Sequence, residues 1–339
     1  MRSPPYFLLS IRLLSKCLPL NNPSRILSGM STLLYEHSSF VGHAVPDGHP
    51  ERPDRIRALD RAFADARFDD VTRLEPPKAA LDVCELAHPR RYIDAIAKAA
   101  PKDGLASVDP DTWLSPGSLE AALRAVGGAN DAIDRVMSGE AINAFCAHRP
   151  PGHHAEGVRA MGFCLFSTAA IAARHAIKAH DLERVAVIDF DVHHGNGTQD
   201  IVEDDPTIFY ASTHEGGIFP GTGHASETGV GNIVNVPLDH YAGSAPFRAA
   251  YERTIFPALK AFDPQFMIFS AGFDAHRADP LASIQLEVED FVWITDELCK
   301  IAEDHCERRV VSLLEGGYDL EALAASASAH VEGLMRAAA

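Results

Sequence analysis

The chain of 339 residues is 46% hydrophobic and 23% charged, ordinary globular values that exclude disordered and fibrous classes and leave room for one large buried core. A formal net charge of −17 argues against direct binding to nucleic-acid phosphates, which needs a basic face, and is compatible with cationic substrates.

Residues 1–29 differ from the rest: Arg2, Arg12, Lys16 and Arg25 stand there without any acidic residue, around an apolar run from Tyr6 to Leu14. They read as a leader or a spurious upstream extension, not part of the fold. An organellar presequence and a signal peptide are the alternatives. A second methionine, Met30, precedes the first strand-like pattern at Leu33-Leu34-Tyr35, so residues 30–339 are taken as the folded domain. No other stretch has the apolar length of a membrane span, and the body reads as soluble and cytoplasmic, or organellar if the leader is a genuine presequence. The six cysteines, Cys17, Cys84, Cys146, Cys164, Cys299 and Cys306, form no CxxC pair and read as buried thiols of a reducing compartment.

From Met30 onward, short apolar runs alternate with amphipathic stretches. Strands are predicted at Ala141–Ala147, Val185–Asp191, Thr207–Thr213, Asn232–Leu238, Phe266–Asp274 and Arg309–Gly317. Helices are predicted at Pro89–Ala100, Ser118–Met137, Ser167–His180, Ala245–Phe262, Val288–Cys306 and Leu320–Arg336. Continuous apolar strands separated by helices imply a single α/β domain with a parallel sheet covered on both faces. No linker and no internal repeat interrupts it. Oligomeric state is not legible.

In such sheets the site lies beyond the carboxyl ends of the strands, and the polar residues gather there. They are His148 to His154, Asp189 to Gly197, Ser212-Thr213-His214, Ala271 to Asp274, and Glu315 to Asp319. Asp191 and His193 are two apart, so in an extended segment both would point to one face, shared with Asp189. Carboxylate and imidazole together suit zinc, or Fe²⁺ or Co²⁺, with Asp274 as the best third ligand and an open position for water. A metal facing two carboxylates needs a base and an oxyanion donor. His153 and His154 suit the first task, and Tyr318, after Gly316-Gly317, the second. Each part alone is more often a surface pair, a packed aromatic or a helix cap; their gathering at successive strand ends is what argues for a site.

These motifs resemble the histone deacetylase family, in particular its class II and bacterial amidohydrolase branch. The matching strings are His49-Pro50-Glu51-Arg52-Pro53, Arg149 to Ala155, Gly162-Phe163-Cys164, Asp189 to Gly197, Phe219 to Gly223, Ser270 to Asp274 and Leu314 to Tyr318, in the family's order and covering nearly everything after residue 33.

The resemblance implies the arginase–deacetylase fold with about eight parallel strands, and one Zn²⁺ held by Asp191, His193 and Asp274. It implies His154 as the proton-transferring base and acid, His153 as its neighbour oriented by Asp189, and Asn196 as the second partner of the histidine pair. Tyr318 would polarise the acetyl carbonyl. Gly162, Phe163 and Phe219 would wall a tunnel for the lysine stem, and Asp109 would be the rim aspartate. Arg55 is a candidate for the family's internal-channel arginine. A structural potassium ion would use Asp189, Asp191, the His193 carbonyl and Ser212. Seven residues after Asp274, Leu281 stands where polyamine-selective relatives place a glutamate, which favours acetyl-lysine in a peptide or protein over an acetylated polyamine. The alternatives are an acetylpolyamine amidohydrolase, a ureohydrolase, and an acyl-lysine binding module without turnover.

Overall fold

The structure is a computed structural model that describes Met1 and residues 31–339; the leader assigned to residues 1–29, apart from Met1, and with it Cys17, lies outside the described residues. The chain runs β1 (Thr32–Tyr35), α1 (Ser39–Gly42), α2 (Asp54–Phe63), β2 (Thr72–Leu74), α3 (Arg90–Ala99), β3 (Ala106–Asp109), β4 (Thr112–Leu114), α4 (Ser118–Met137), β5 (Asn143–Cys146), α5 (Thr168–His180) and β6 (Val185–Asp189). It continues through α6 (Asn196–Val202), β7 (Ile208–Glu215), β8 (Ile233–Leu238), α7 (Ser244–Ala250), α8 (Phe256–Phe262), β9 (Phe266–Ala271), α9 (Val288–His305), β10 (Val310–Leu314) and α10 (Leu320–Ala338).

Eight strands form one parallel sheet in the order β2-β1-β5-β10-β9-β6-β7-β8. The central strands are buried along their whole length because helices cover both faces. Alternation divides their side chains between two cores. Ala186 and Ile188 of β6 pack on one side with residues of α2, α9 and α10, and Val185 and Val187 pack on the other with α3, α4 and α5.

All six predicted helices are present within a residue or two, with one refinement. The stretch Ala245–Phe262 is not a continuous α-helix but α7, a π-helical turn at Tyr251–Ile255, and α8. Pro257 has no N–H for the carbonyl four residues back, and its ring would collide with it, so the backbone widens before α8 begins. The predicted strands exist, but β5 is shorter than predicted at both ends and three others overran their carboxyl ends by more than one residue. β6 stops at Asp189, β9 at Ala271 and β10 at Leu314, and the polar residues that follow leave the ladder as loops. Short elements went unread: β2, α6 and the two-stranded antiparallel β3–β4 hairpin, which lack an apolar period, and α2, whose period rests on Ile56, Leu59 and Phe63 alone among charged residues. The five described cysteines are free and buried, and among the described residues no helix is long and apolar enough to cross a membrane.

Candidate active site

The loops after β5, β6, β9 and β10 meet at the carboxyl edge of the sheet. After β6 the chain makes two successive Asx turns, in which Asp189 Oδ1 accepts from the Asp191 N–H at 3.1 Å and Asp191 Oδ1 from the His193 N–H at 2.9 Å. Asp191 and His193 therefore share a face through these turns, and not through the strand pleat that their spacing suggests.

Nδ1 of His193 lies 3.2 Å from Asp191 Oδ1 and 3.2 Å from Asp274 Oδ2. The remaining oxygens are anchored from behind: Asp191 Oδ2 accepts from the Gly316 N–H at 2.7 Å and Asp274 Oδ1 from the Val192 N–H at 2.8 Å. Gly316 permits this approach, since a Cβ there would stand 2.0 Å from Asp274 Oδ2. All three side chains are buried, and their ligand atoms lie within 4.8 Å of one another. Two buried carboxylates facing each other are costly without a cation. Burial, followed by the nearby Asp191 charge, accordingly pushes the Asp274 carboxyl up to about 7. This donor set fits a divalent metal ion.

The histidine pair lies beside the triad. His153 Nδ1 is 3.0 Å from Asp189 Oδ2, and His154 Nδ1 is 2.8 Å from Asn196 Oδ1. Asn196 Nδ2 donates to Glu156 Oε1 at 2.8 Å, which fixes the amide with its oxygen toward His154. The neutral His154 ring therefore carries its proton on Nδ1 and leaves Nε2 free to accept one. Burial, helped by the charges of His153 and His193, holds His154 well below the usual imidazole range. Burial acts the same way on His153, but Asp191 and Asp189 outweigh it and raise its value well above that range. Glu315 ties the loop down, accepting from the Gly152 N–H at 2.7 Å and the His153 N–H at 3.2 Å.

A pocket of about 230 Å³ opens over these groups, lined by Asp111, His154, Gly162, Phe163, His193, Phe219, Leu281 and Tyr318. Gly162 has φ +54°, and a Cβ there would sit 2.4 Å from the His154 ring. Phe219 meets His154 edge-on at 5.0 Å between centroids, and Phe163 meets Tyr318 edge-on at 5.8 Å. Phe219 and Leu281 are 41% and 38% exposed, which places them at the mouth.

The sequence-chosen rim residue, Asp109, does not line the pocket. It ends β3 and pairs with Arg159 at 3.3 Å, while Asp111, in the hairpin turn, faces the opening. Burial and the neighbouring Asp109 carboxyl push Asp111 upward. The string Asp109-Pro110-Asp111 offered both carboxylates, and only the turn geometry separates them.

Other residues support the site; of these Asp279 has no counterpart among the expected residues, whereas Arg55 and Ser212 are expected from the family resemblance. Asp279 Oδ2 accepts from the Tyr318 N–H at 2.7 Å and Oδ1 from the Leu281 N–H at 3.0 Å, so one buried carboxylate sets two pocket walls. Arg55 is fully buried, stacks over the Tyr318 ring at 5.0 Å, and donates to the Gly317 carbonyl at 2.6 Å and the Glu315 carbonyl at 2.5 Å. Behind it, buried Glu51 receives Arg55 at 3.1 Å and Arg149 at 2.5 and 2.8 Å. Burial alone would raise the Glu51 carboxyl, yet Arg149, His43 and Arg55 hold it well below the carboxylate range. Ser212, the register partner of Asp189 on β7, is buried with its hydroxyl 2.9 Å from His214 Nδ1.

Residues 49–334 match the Histone deacetylase domain family. The chain belongs to the histone deacetylase family. It is 40% identical over 300 residues to a histone deacetylase-like amidohydrolase of Pseudomonas aeruginosa, covering 86% of this chain and 78% of that one. It is 37% identical over 315 residues to the rice protein named histone deacetylase 10, chloroplastic, covering 87% of this chain and 71% of the relative. The crystal structure of the HDA15 HD domain superposes with a TM-score of 0.84 at 34% identity, covering 89% of this chain and 90% of that chain. As a histone deacetylase family member the protein is a hydrolase of amide bonds, built on the α/β fold with the eight-stranded parallel sheet seen here.

Proposed function

We propose that this family hydrolase is a zinc-dependent deacetylase that converts the acetyl-lysine side chain of a peptide or protein to lysine and acetate. The observation that carries the reading is the pocket: a largely apolar space lined also by His154, Tyr318 and His193, the last of them a member of the buried Asp191–His193–Asp274 triad. Asp191, His193 and Asp274 would hold the zinc, which when bound supplies Lewis acidity toward the acetyl oxygen and toward water.

The chain's own residues do the rest. Gly162, Phe163, Phe219 and Leu281 admit an aliphatic stem and exclude bulk, which delivers one carbonyl toward the triad. His154 takes the proton from water on the Nε2 that Asn196 and Glu156 leave free, and returns it to the departing lysine amine. Burial, with the positive charge that His153 keeps beside it through Asp191 and Asp189, holds His154 neutral. The Tyr318 hydroxyl donates to the oxygen that gathers negative charge, and Asp279 with Arg55 fixes that ring. Asp111 at the mouth would accept from N–H groups flanking the acetyl-lysine. Asp189, Asp191, the His193 carbonyl and Ser212 are the residues for a structural potassium ion, supported by the pairing of Asp189 and Ser212 across β6 and β7.

Leu281 supports peptide over polyamine, because the pocket lining at its position carries no charge to read a distant ammonium. The deciding experiment compares turnover of an acetyl-lysine peptide with acetylated putrescine and spermidine, with and without a zinc chelator. Chelator-sensitive turnover favouring the peptide is expected. Faster polyamine turnover would overturn the substrate, and chelator-insensitive turnover would overturn the metal.

A further inference from the structure

A second group of metal-ligating side chains lies on the outer helices. His175 Nε2 is 2.8 Å from Asp134 Oδ1, and His180 Nε2 is 2.7 Å from the same oxygen. The ligand atoms of all three residues lie within 4.8 Å of one another. The side chains are 20%, 22% and 50% exposed for His175, His180 and Asp134, so the group is reachable from water without being loose on the surface.

Helix periodicity does not bring these histidines together. Five residues apart, they would stand about 140° from each other around an ideal α-helix, whereas pairs on one face are three or four apart. They converge because α5 ends at His180, where Asp181 turns into the left-handed region (φ 52°, ψ 34°), and because α4 supplies Asp134 from outside the helix. A single carboxylate oxygen then meets two imidazole nitrogens. Two imidazoles and one carboxylate are a donor set for a borderline divalent ion, and a tetrahedral ion with ligands at about 2.0–2.1 Å separates them by about 3.3 Å. From the observed contacts this needs an opening of only about half an ångström, within the reach of exposed side-chain rotation.

The geometry points to a second zinc site, formed by Asp134, His175 and His180, that bridges α4 to the carboxyl end of α5. Three protein ligands leave water or an anion to complete the shell. The site is separate from the Asp191–His193–Asp274 triad and requires nothing of the deacetylase chemistry.

The test is equilibrium dialysis of the full chain with free zinc clamped at about 10 µM, enough to fill about nine tenths of a site with a Kd near 1 µM, followed by elemental analysis. Wild type is expected to hold about two zinc ions per chain and the His175→Ala/His180→Ala variant about one, with unchanged peptide deacetylation certifying its fold. Asp274→Asn gives an independent second arm: it should keep about one zinc, lost when the two histidines are also replaced. Zinc should raise the Tm of Asp274→Asn, and not that of the triple variant. A single zinc in wild type, equal stoichiometry in wild type and the histidine variant, or a zinc-dependent Tm rise of the same size in the triple variant would each overturn the site.

Discussion

The two candidate metal centres use the same donor types and differ in everything around them. At the strand ends, Asp191 and Asp274 are fully buried and each spends an oxygen on a backbone N–H, from Gly316 and Val192. On the outer helices, half of the Asp134 side chain meets water, and its oxygen has only the two histidines to face. Burial makes the inner charges interdependent, so removing one leaves the others uncompensated. At the outer group water can replace any member at little cost.

The largest break in this contrast should come from Asp274→Asn, which is expected to lower peptide turnover by about 10³-fold or more with loss of bound zinc at the triad. Full zinc occupancy of that variant, measured against the histidine variant, would remove Asp274 from the ligand set. Glu51→Gln should destabilise the fold by about 3–5 kcal/mol in urea unfolding, because Arg55 and Arg149 lose their buried counter-charge. A loss under about 1 kcal/mol would show that the cluster behaves like a surface pair. Tyr318→Phe should lower kcat by about 10²–10³ with KM little changed, as for loss of one oxyanion donor; a raised KM with normal kcat would contradict its role.

A smaller effect separates buried from exposed histidines. His330 is fully buried between the hydroxyls of Thr295 and Ser312, and burial pushes it down to about 3. The unfolded chain binds this proton below about pH 6.5 and the folded chain does not, so stability is lost as pH falls from there toward about 3, by at most about 1.4 kcal/mol per unit. His330→Gln should flatten that part of the unfolding curve, and an unchanged slope would refute the assignment. The smallest effect is expected from Asp134→Asn in chelator, under about 1 kcal/mol.

The same contrast shows what a sequence discloses. The inner centre was legible because its residues fall in short strings at strand ends, where a doubly wound sheet collects them. The pocket walls were legible only through family resemblance. Asp111 was passed over for Asp109 because a hairpin turn, invisible in a stretch without apolar period, decides which carboxylate faces the opening. Asp279 and Glu156 act by orienting other groups, and no spacing signals that; Arg55, which does the same, is reached only through the family resemblance. The outer trio left no trace, since its ligands come from two helices and its histidines stand off the helical repeat.

Arg55 carries one more consequence. It joins α2, near the beginning of the chain, to the carbonyls of Glu315 and Gly317, near its end. On the ribosome the early half of this tie is made long before its partner exists, and Arg55 must wait for the segment after the last strand to leave the exit tunnel. A nascent chain shorter than about residue 318 thus lacks both the tyrosine and the carbonyls that hold Arg55 against its ring.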